Sequence, residues 1–162
     1  MTETRPIQDS DHAAIVAVAE ALPEWFDEDA RGRAIPTDLR HQHGFVALSD
    51  GRIVGFISAF FAEGRINIGW LGVRPDHRRN GIGAELLGCA EEFGRHHGVT
   101  EIATYTLGSS VEYEPYEATR QFYFSQGFTI YQTNKTDNPG CPEEIKIKKD
   151  IAQRHKVDHT DP

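Results

Sequence analysis

Apolar residues recur at helical spacing through Asp9-Ser-Asp-His-Ala-Ala-Ile-Val-Ala-Val-Ala-Glu-Ala-Leu22, behind Asp and Ser capping residues and ahead of Pro23, which predicts a first helix. A weaker pattern over residues 26–34 predicts a short second one. The period then changes. Residues 45–48 and 53–61 are apolar runs flanking Ser49-Asp50-Gly51-Arg52, and Asp-Gly between such runs predicts a hairpin. Glu63-Gly64 makes the next turn, into a strand over residues 66–73, so three antiparallel strands follow one another. Ile82, Leu86, Cys89, Ala90 and Phe93 restore the helical period over residues 81–97, with Arg95, His96 and His97 in the last turn and Gly98 as the cap. A strand over 102–107, reached by a short connection, is expected to lie parallel to 66–73 through a right-handed crossover. A helix over 117–126 closed by Gly127, then strands over 128–133 and 145–148, follow; with a strand expected ahead of the first helix the order is βααβββαβαββ, an α/β domain with a mixed sheet.

The totals narrow this picture. A length of 162 residues suits one domain, expected over residues 1–152, with a polar tail at 153–162. The longest apolar runs fall well short of the ~18 residues of a membrane span, and the N-terminal residues carry no secretory pattern, so the expectation is a cytoplasmic protein without a membrane partner. A formal net charge of -8 argues against nucleic acid as a partner and favours a cationic small molecule or peptide. Cys89 and Cys141 form neither a metal-ligand spacing nor a disulfide framework.

Against that acidic background, Val73-Arg-Pro-Asp-His-Arg-Arg-Asn-Gly-Ile-Gly-Ala-Glu places cations and two glycines where a helix begins. Helix starts ordinarily carry carboxylates, which complement the exposed amides there. Gly81 and Gly83 each cost a helix roughly 1 kcal/mol relative to alanine. Bare backbone amides beside Arg78 and Arg79 offer a return for that cost, a phosphate or pyrophosphate site. The spacing fits neither common nucleotide loop. A Walker A loop needs Lys-Ser/Thr after its last glycine, where Ala84-Glu85 stands, and a dinucleotide fingerprint needs a third glycine, where Leu86 stands.

Val73-x-Pro75 followed by Arg78-x-x-Gly81-x-Gly83-Ala84 resembles the acyl-CoA signature of the GNAT N-acetyltransferase superfamily. Thr119-Arg-Gln-Phe122-Tyr123-Phe-Ser-Gln-Gly127-Phe128 is similar to that family's late helix, and the element order agrees over about residues 3 to 149. The resemblance implies a GNAT fold: a mixed, mostly antiparallel sheet with splayed central parallel strands and flanking helices. It further implies acetyl-CoA as cosubstrate. The pantetheine arm is expected along Leu71, Gly72 and Val73, and the pyrophosphate on Arg78 and the amides of Arg79, Asn80, Gly81, Ile82, Gly83 and Ala84.

The implied reaction is acetyl transfer to a primary amine by direct attack on the thioester. Such an amine, with a pKa near ~10, must first lose a proton, and the departing thiolate must gain one. Tyr123 matches the family's general-acid tyrosine, although Ala118 and Phe122 on the same helix read as core. A strand amide around Leu71 is the expected oxyanion donor. Two departures stand out. The strands over 66–73 and 102–107 contain no carboxylate to serve as base, and Tyr116 occupies the position where many members carry a CoA-contacting Asn.

Two segments are both acidic and aromatic, Glu24-Trp25-Phe26-Asp-Glu-Asp29 and Val111-Glu-Tyr113-Glu-Pro-Tyr116-Glu117. Both border the acceptor pocket in the family, and carboxylates with aromatic faces suit a cation. Glu24, Trp25, Phe26, Tyr113 and Tyr116 are therefore the expected acceptor-binding residues, for an amine bearing further positive charge. His41, His43, His96 and His97 lack partners for a metal site, and none is required. By family habit a homodimer is possible. A non-catalytic acyl-CoA sensor on the same fold is the alternative, given the missing strand carboxylate.

Overall fold

The computed structural model describes residues 2–110 and 112–152; the polar segment 153–162 lies outside them. Seven strands form one sheet: β1 (Thr2–Pro6), β2 (His43–Ser49), β3 (Arg52–Ala62), β4 (Arg65–Val73), β5 (Glu101–Leu107), β6 (Thr129–Lys135) and β7 (Glu143–Asp150). Their spatial order is β1-β2-β3-β4-β5-β7-β6, antiparallel throughout except for the β4–β5 pair. The two hairpins come where the turn residues put them. Asp50 and Gly51, and likewise Glu63 and Gly64, have positive φ, the geometry of two-residue turns that match strand twist.

Helix α1 (His12–Glu20) follows a 3₁₀ turn at Asp9–Asp11. Asp11 ties that turn to β1, accepting from the Gln8 amide at 2.7 Å and from Arg5 at 2.7 and 3.0 Å. The Arg5 hydrogen bonds hold its carboxyl below the usual range. The second helical stretch begins within the expected 26–34, at residue 28, and runs on past it to residue 39. A wide π turn at Ala30–Ala34 leads into α2 (Ile35–Leu39). Pro36 brings no amide to the helical ladder. The Ile35 N–H reaches back to the Ala30 carbonyl, five residues away, and the widened turn absorbs the break. Helix α3 (Ile82–His96) and α4 (Glu114–Ser125) complete the set. The latter starts one turn earlier than the sequence pattern indicates, because Pro115 is preorganised for a first helical turn.

The sheet is covered on both faces. Alternation along β3 sends Ile57 toward a core made with Leu86, Leu87 and Ala90 of α3, while Phe56 packs with Ile15 and Val18 of α1 and Ile35 of α2. Among the described residues no helix is long and apolar enough to cross a bilayer.

Two irregularities in the middle of the sheet prepare the site. At the Ser58/Ala59 step of β3 the register shifts, leaving Gly69 of β4 opposite no partner, and Ser58 Oγ accepts the Trp70 amide at 2.9 Å. A Cβ on Gly69 would run into the Gln42 and Ser58 side chains, so the bulge needs glycine. The parallel pairing of β4 with β5 covers only Ile66–Ile102 and Asn67–Ala103, after which the strands part.

Two glycines of α3 give opposite expectations. At Gly88 a Cβ meets nothing within 4 Å, whereas at Gly94 it would stand 2.8 Å from Ile66 Cγ2. In urea denaturation, Gly88→Ala should stabilise the protein by about 0.5–1 kcal/mol, and Gly94→Ala should destabilise it by about 1–3 kcal/mol through overpacking.

Candidate active site

Where β4 leaves β5, the sheet opens into a cavity of about 870 Å³. The N-terminus of α3, the α1–α2 connection and the inner face of α4 close around it. Of the sequence-predicted residues, Leu71, Gly72, Val73, Arg78, Arg79, Gly81, Ile82, Gly83, Ala84, Trp25, Phe26, Tyr116 and Tyr123 line it; Asn80, Glu24 and Tyr113 do not.

One end is built for an anion. Gly81 is the N-cap of α3 with φ of 76°, and no side chain caps the helix. The first intrahelical bond runs from Glu85 N to the Gly81 carbonyl at 3.0 Å, so the amides of Ile82, Gly83 and Ala84 keep no intrahelical acceptor. Arg79, with φ of 66°, is one of three non-glycine residues among those described held in the left-handed region, and such strain gathers at functional loops. A Cβ at Gly81 meets nothing within 4 Å, and one at Gly83 would abut the Phe122 ring at 3.4 Å in the cavity wall. The loop thus presents bare backbone to the cavity, beside two guanidinium groups. A pyrophosphate fits these donors.

Tyr123 is 6% exposed, with its ring against Phe128 at 5.1 Å and Phe122 at 5.3 Å. Burial pushes its phenol well above the ordinary tyrosine value. Its hydroxyl forms no hydrogen bond with a described residue, and the side chain borders the cavity. Tyr123, rather than Ala118 or Phe122, is the apolar-face residue that α4 buries. Arg120, also buried, anchors the helix: Nη1 donates to the Leu107 carbonyl at 2.8 Å and to that of Gly108 at 3.2 Å. The Cys141 thiol, at the cavity margin, is pushed up by burial and by Glu144, which keeps it protonated and a poor nucleophile.

The two acidic and aromatic segments do meet. Trp25 Nε1 donates to the Pro115 carbonyl at 3.0 Å and Thr119 Oγ1 at 3.1 Å, Tyr116 Oη donates to the Trp25 carbonyl at 3.2 Å, and Tyr113 Oη to that of Glu24 at 2.9 Å. Arg78 lies 4.3 Å from the centre of the Trp25 ring, joining this cluster to the anion end. What meets is backbone and aromatic rings. The carboxylates are engaged elsewhere: Asp27 accepts the Ala30 amide at 2.7 Å and Asp29 pairs with Arg33 at 2.6 Å, while Glu24, Glu112, Glu114 and Glu117 are exposed. Phe26 is core, packed edge-on to Trp70 at 5.8 Å.

The carboxylate of the cavity is one that sequence reasoning missed. Asp38 of α2 lines it, and Asp38 Oδ2 accepts from Trp70 Nε1 at 2.9 Å. Ile35, Asp38, Leu39 and Gln42 fall on one helical stripe, and the signal was available as two polar residues on an otherwise buried face. Ending the second helix at residue 34 concealed it.

The sequence matches the acetyltransferase (GNAT) family over residues 8–128. The chain belongs to the GNAT family of acetyltransferases. Among curated proteins no sequence relative matches. Solved structures agree with the fold. A GNAT-family protein from Desulfovibrio desulfuricans is 21% identical with a TM-score of 0.81, covering 94% of this chain and 100% of its own. The ribosomal-protein-S18-alanine N-acetyltransferase of Escherichia coli is 15% identical at 0.74, covering 97% and 98%. The PaiA N-acetyltransferase of Thermoplasma acidophilum, solved with coenzyme A, is 19% identical at 0.72, covering 93% and 99%. At these identities the likeness is one of fold. GNAT acetyltransferases use acetyl-CoA.

Because Gly81 holds a left-handed φ, Gly81→Val in this GNAT protein should cost about 1–3 kcal/mol although the site is sterically open. A fall in Tm of several degrees in a thermal melt, against a slightly raised Tm for Gly88→Ala, is the expected result.

Proposed function

We propose that the chain is an N-acetyltransferase that moves an acetyl group from acetyl-CoA to a primary amine carrying positive charge, by direct attack on the thioester. The observation that carries this reading is the convergence of three features on one cavity: the strand edge of β4 at Leu71–Val73, the uncapped N-terminus of α3, and the buried phenol of Tyr123.

The free amides of Ile82, Gly83 and Ala84, with Arg78 and Arg79, hold the pyrophosphate. Their dipole end and charge are the reason this helix start carries no acidic cap. The pantetheine arm lies along β4, which the parting of the strands leaves unpaired by β5 beyond Asn67. This directs the thioester toward Tyr123. The Leu71 amide donates to the developing oxyanion. Attack forms the N–C bond, collapse breaks the C–S bond, and Tyr123 gives its proton to the sulfur. A phenol kept neutral by burial is suited to donating and poorly suited to abstracting a proton. Cys141, with its raised pKa, is no nucleophile at neutral pH, which favours direct transfer over an acyl-enzyme.

A thiol-release assay with acetyl-CoA and an amine panel tests the reading; coenzyme A binding without turnover on any amine marks a binding module instead. Tyr123→Phe should lower kcat by about 100-fold, some 3 kcal/mol in barrier, with KM for acetyl-CoA within roughly twofold. The pH profile carries a second check. Raised above the ordinary tyrosine value, Tyr123 remains the protonated acid throughout the neutral and mildly alkaline range. The wild-type rate should therefore rise from pH 6 to 9 as the amine deprotonates, without an alkaline loss centred below about pH 10.

A further inference from the structure

The cavity is electrically divided. Among the described residues its basic lining groups are His77, Arg78 and Arg79, all in the loop that leads into α3, while its carboxylate is Asp38 alone. Asp38 and Gln42 stand together at the end of α2, where the Gln42 amide donates to the Asp38 carbonyl at 2.8 Å and so continues the helical turn. Asp38 Oδ2 is fixed by Trp70 Nε1. Asp38 Oδ1 takes no hydrogen bond from a described residue, and Gln42 Oε1 is a buried side-chain oxygen with no partner.

An alkylammonium matches the open Asp38 oxygen, bringing three N–H donors and a positive charge. An anion or a group with only acceptors does not. The surrounding surface sets the rest of the ligand. Trp70, Phe60, Tyr105 and Tyr116 offer ring faces, and no second carboxylate reaches the cavity, since Asp27 and Asp29 are engaged on their own helix. One carboxylate balances one charge, and a further ammonium on the ligand would meet only ring faces and solvent, a weaker attraction than an ion pair.

We infer that Asp38 is the ammonium-binding and proton-accepting group for the acceptor, and that this acceptor is an amine with one positive charge on an apolar body. The inference rests on the N-acetyltransferase reading and supplies the base missing from the strands. The balance closes. The ammonium gives one proton to Asp38, which is partly exposed and passes it to solvent; the nitrogen attacks, the C–S bond breaks with its electron pair going to sulfur, Tyr123 protonates the thiolate, and the nitrogen's second proton restores the Tyr123 phenol. The products are the acetamide, the free thiol of coenzyme A and one released proton.

The test pairs two acceptors of one shape, phenethylamine, which is an ammonium at pH 7, and O-benzylhydroxylamine, which is neutral there. Asp38→Asn keeps an oxygen for Trp70 and removes only the charge. The variant should lose about 100-fold or more in kcat/KM for phenethylamine, stay within roughly threefold for O-benzylhydroxylamine, and bind coenzyme A as the wild type does by calorimetry. Asp38→Glu should recover part of the phenethylamine activity. Equal losses on both acceptors would reveal a structural role, and no loss on either would remove Asp38 from the reaction; each overturns the inference. Wild-type preference for spermidine over phenethylamine overturns the single-charge acceptor. A wild-type protein that binds coenzyme A and acetylates no amine overturns this inference together with the reading beneath it, whereas turnover that ignores Asp38→Asn leaves that reading standing.

Discussion

The parting of β4 from β5 is the constraint on which the rest of the structure depends. Parallel pairing holds at Ile66–Ile102 and Asn67–Ala103 and then stops, and a strand edge exposed inside a protein is costly unless something else takes its hydrogen bonds. The neighbouring elements are arranged to keep the gap open. The bulge at Gly69, secured by Ser58, redirects β4. On the far side, the buried guanidinium of Arg120 takes the Leu107 and Gly108 carbonyls at the end of β5, so that end is satisfied by α4 without help from β4. Helix α3 starts at the mouth of the gap because it is the crossover between these two strands.

That arrangement separates charge within a small volume. The helix dipole, Arg78 and Arg79 make one side of the cavity receptive to phosphates. Asp38 makes another part receptive to a donor. The acidic total of the chain has little to do with either. Most of its carboxylates cap helices, pair with arginines or face solvent, as Asp27, Asp29 and Glu24 do, and surface charge of that kind is weakly coupled to a site by screening. Burial does the complementary work at Tyr123, holding its phenol in the neutral form.

The element order and the anion loop were legible in the sequence because both are local. Asp50-Gly51 and Glu63-Gly64 state their turns in two residues, and the Arg78-to-Ala84 run states a bare helix start in seven. The acceptor side was legible only in part. Trp25, Tyr113 and Tyr116 do converge, but on one another's backbone, and the acidic residues beside them were credited with a role that their own helices use up. The second helix was ended at residue 34, where its weak pattern stops, whereas the π turn carries the helical chain on to Leu39. With the helix ended there, Asp38 and Gln42 had no face to be on.

By itself, then, the sequence determined the strands, the turns, the α3 signature and the tyrosine four residues before Gly127, since each is encoded in short-range periodicity and backbone preference. Tertiary structure alone decided which carboxylate enters the cavity and how far β4 stands from β5. It also decided that Trp70 fixes Asp38 and that Arg120 serves β5. Those facts join residues 32 and 13 positions apart in the chain, and contacts across such distances are set by how the layers pack, which no local pattern records.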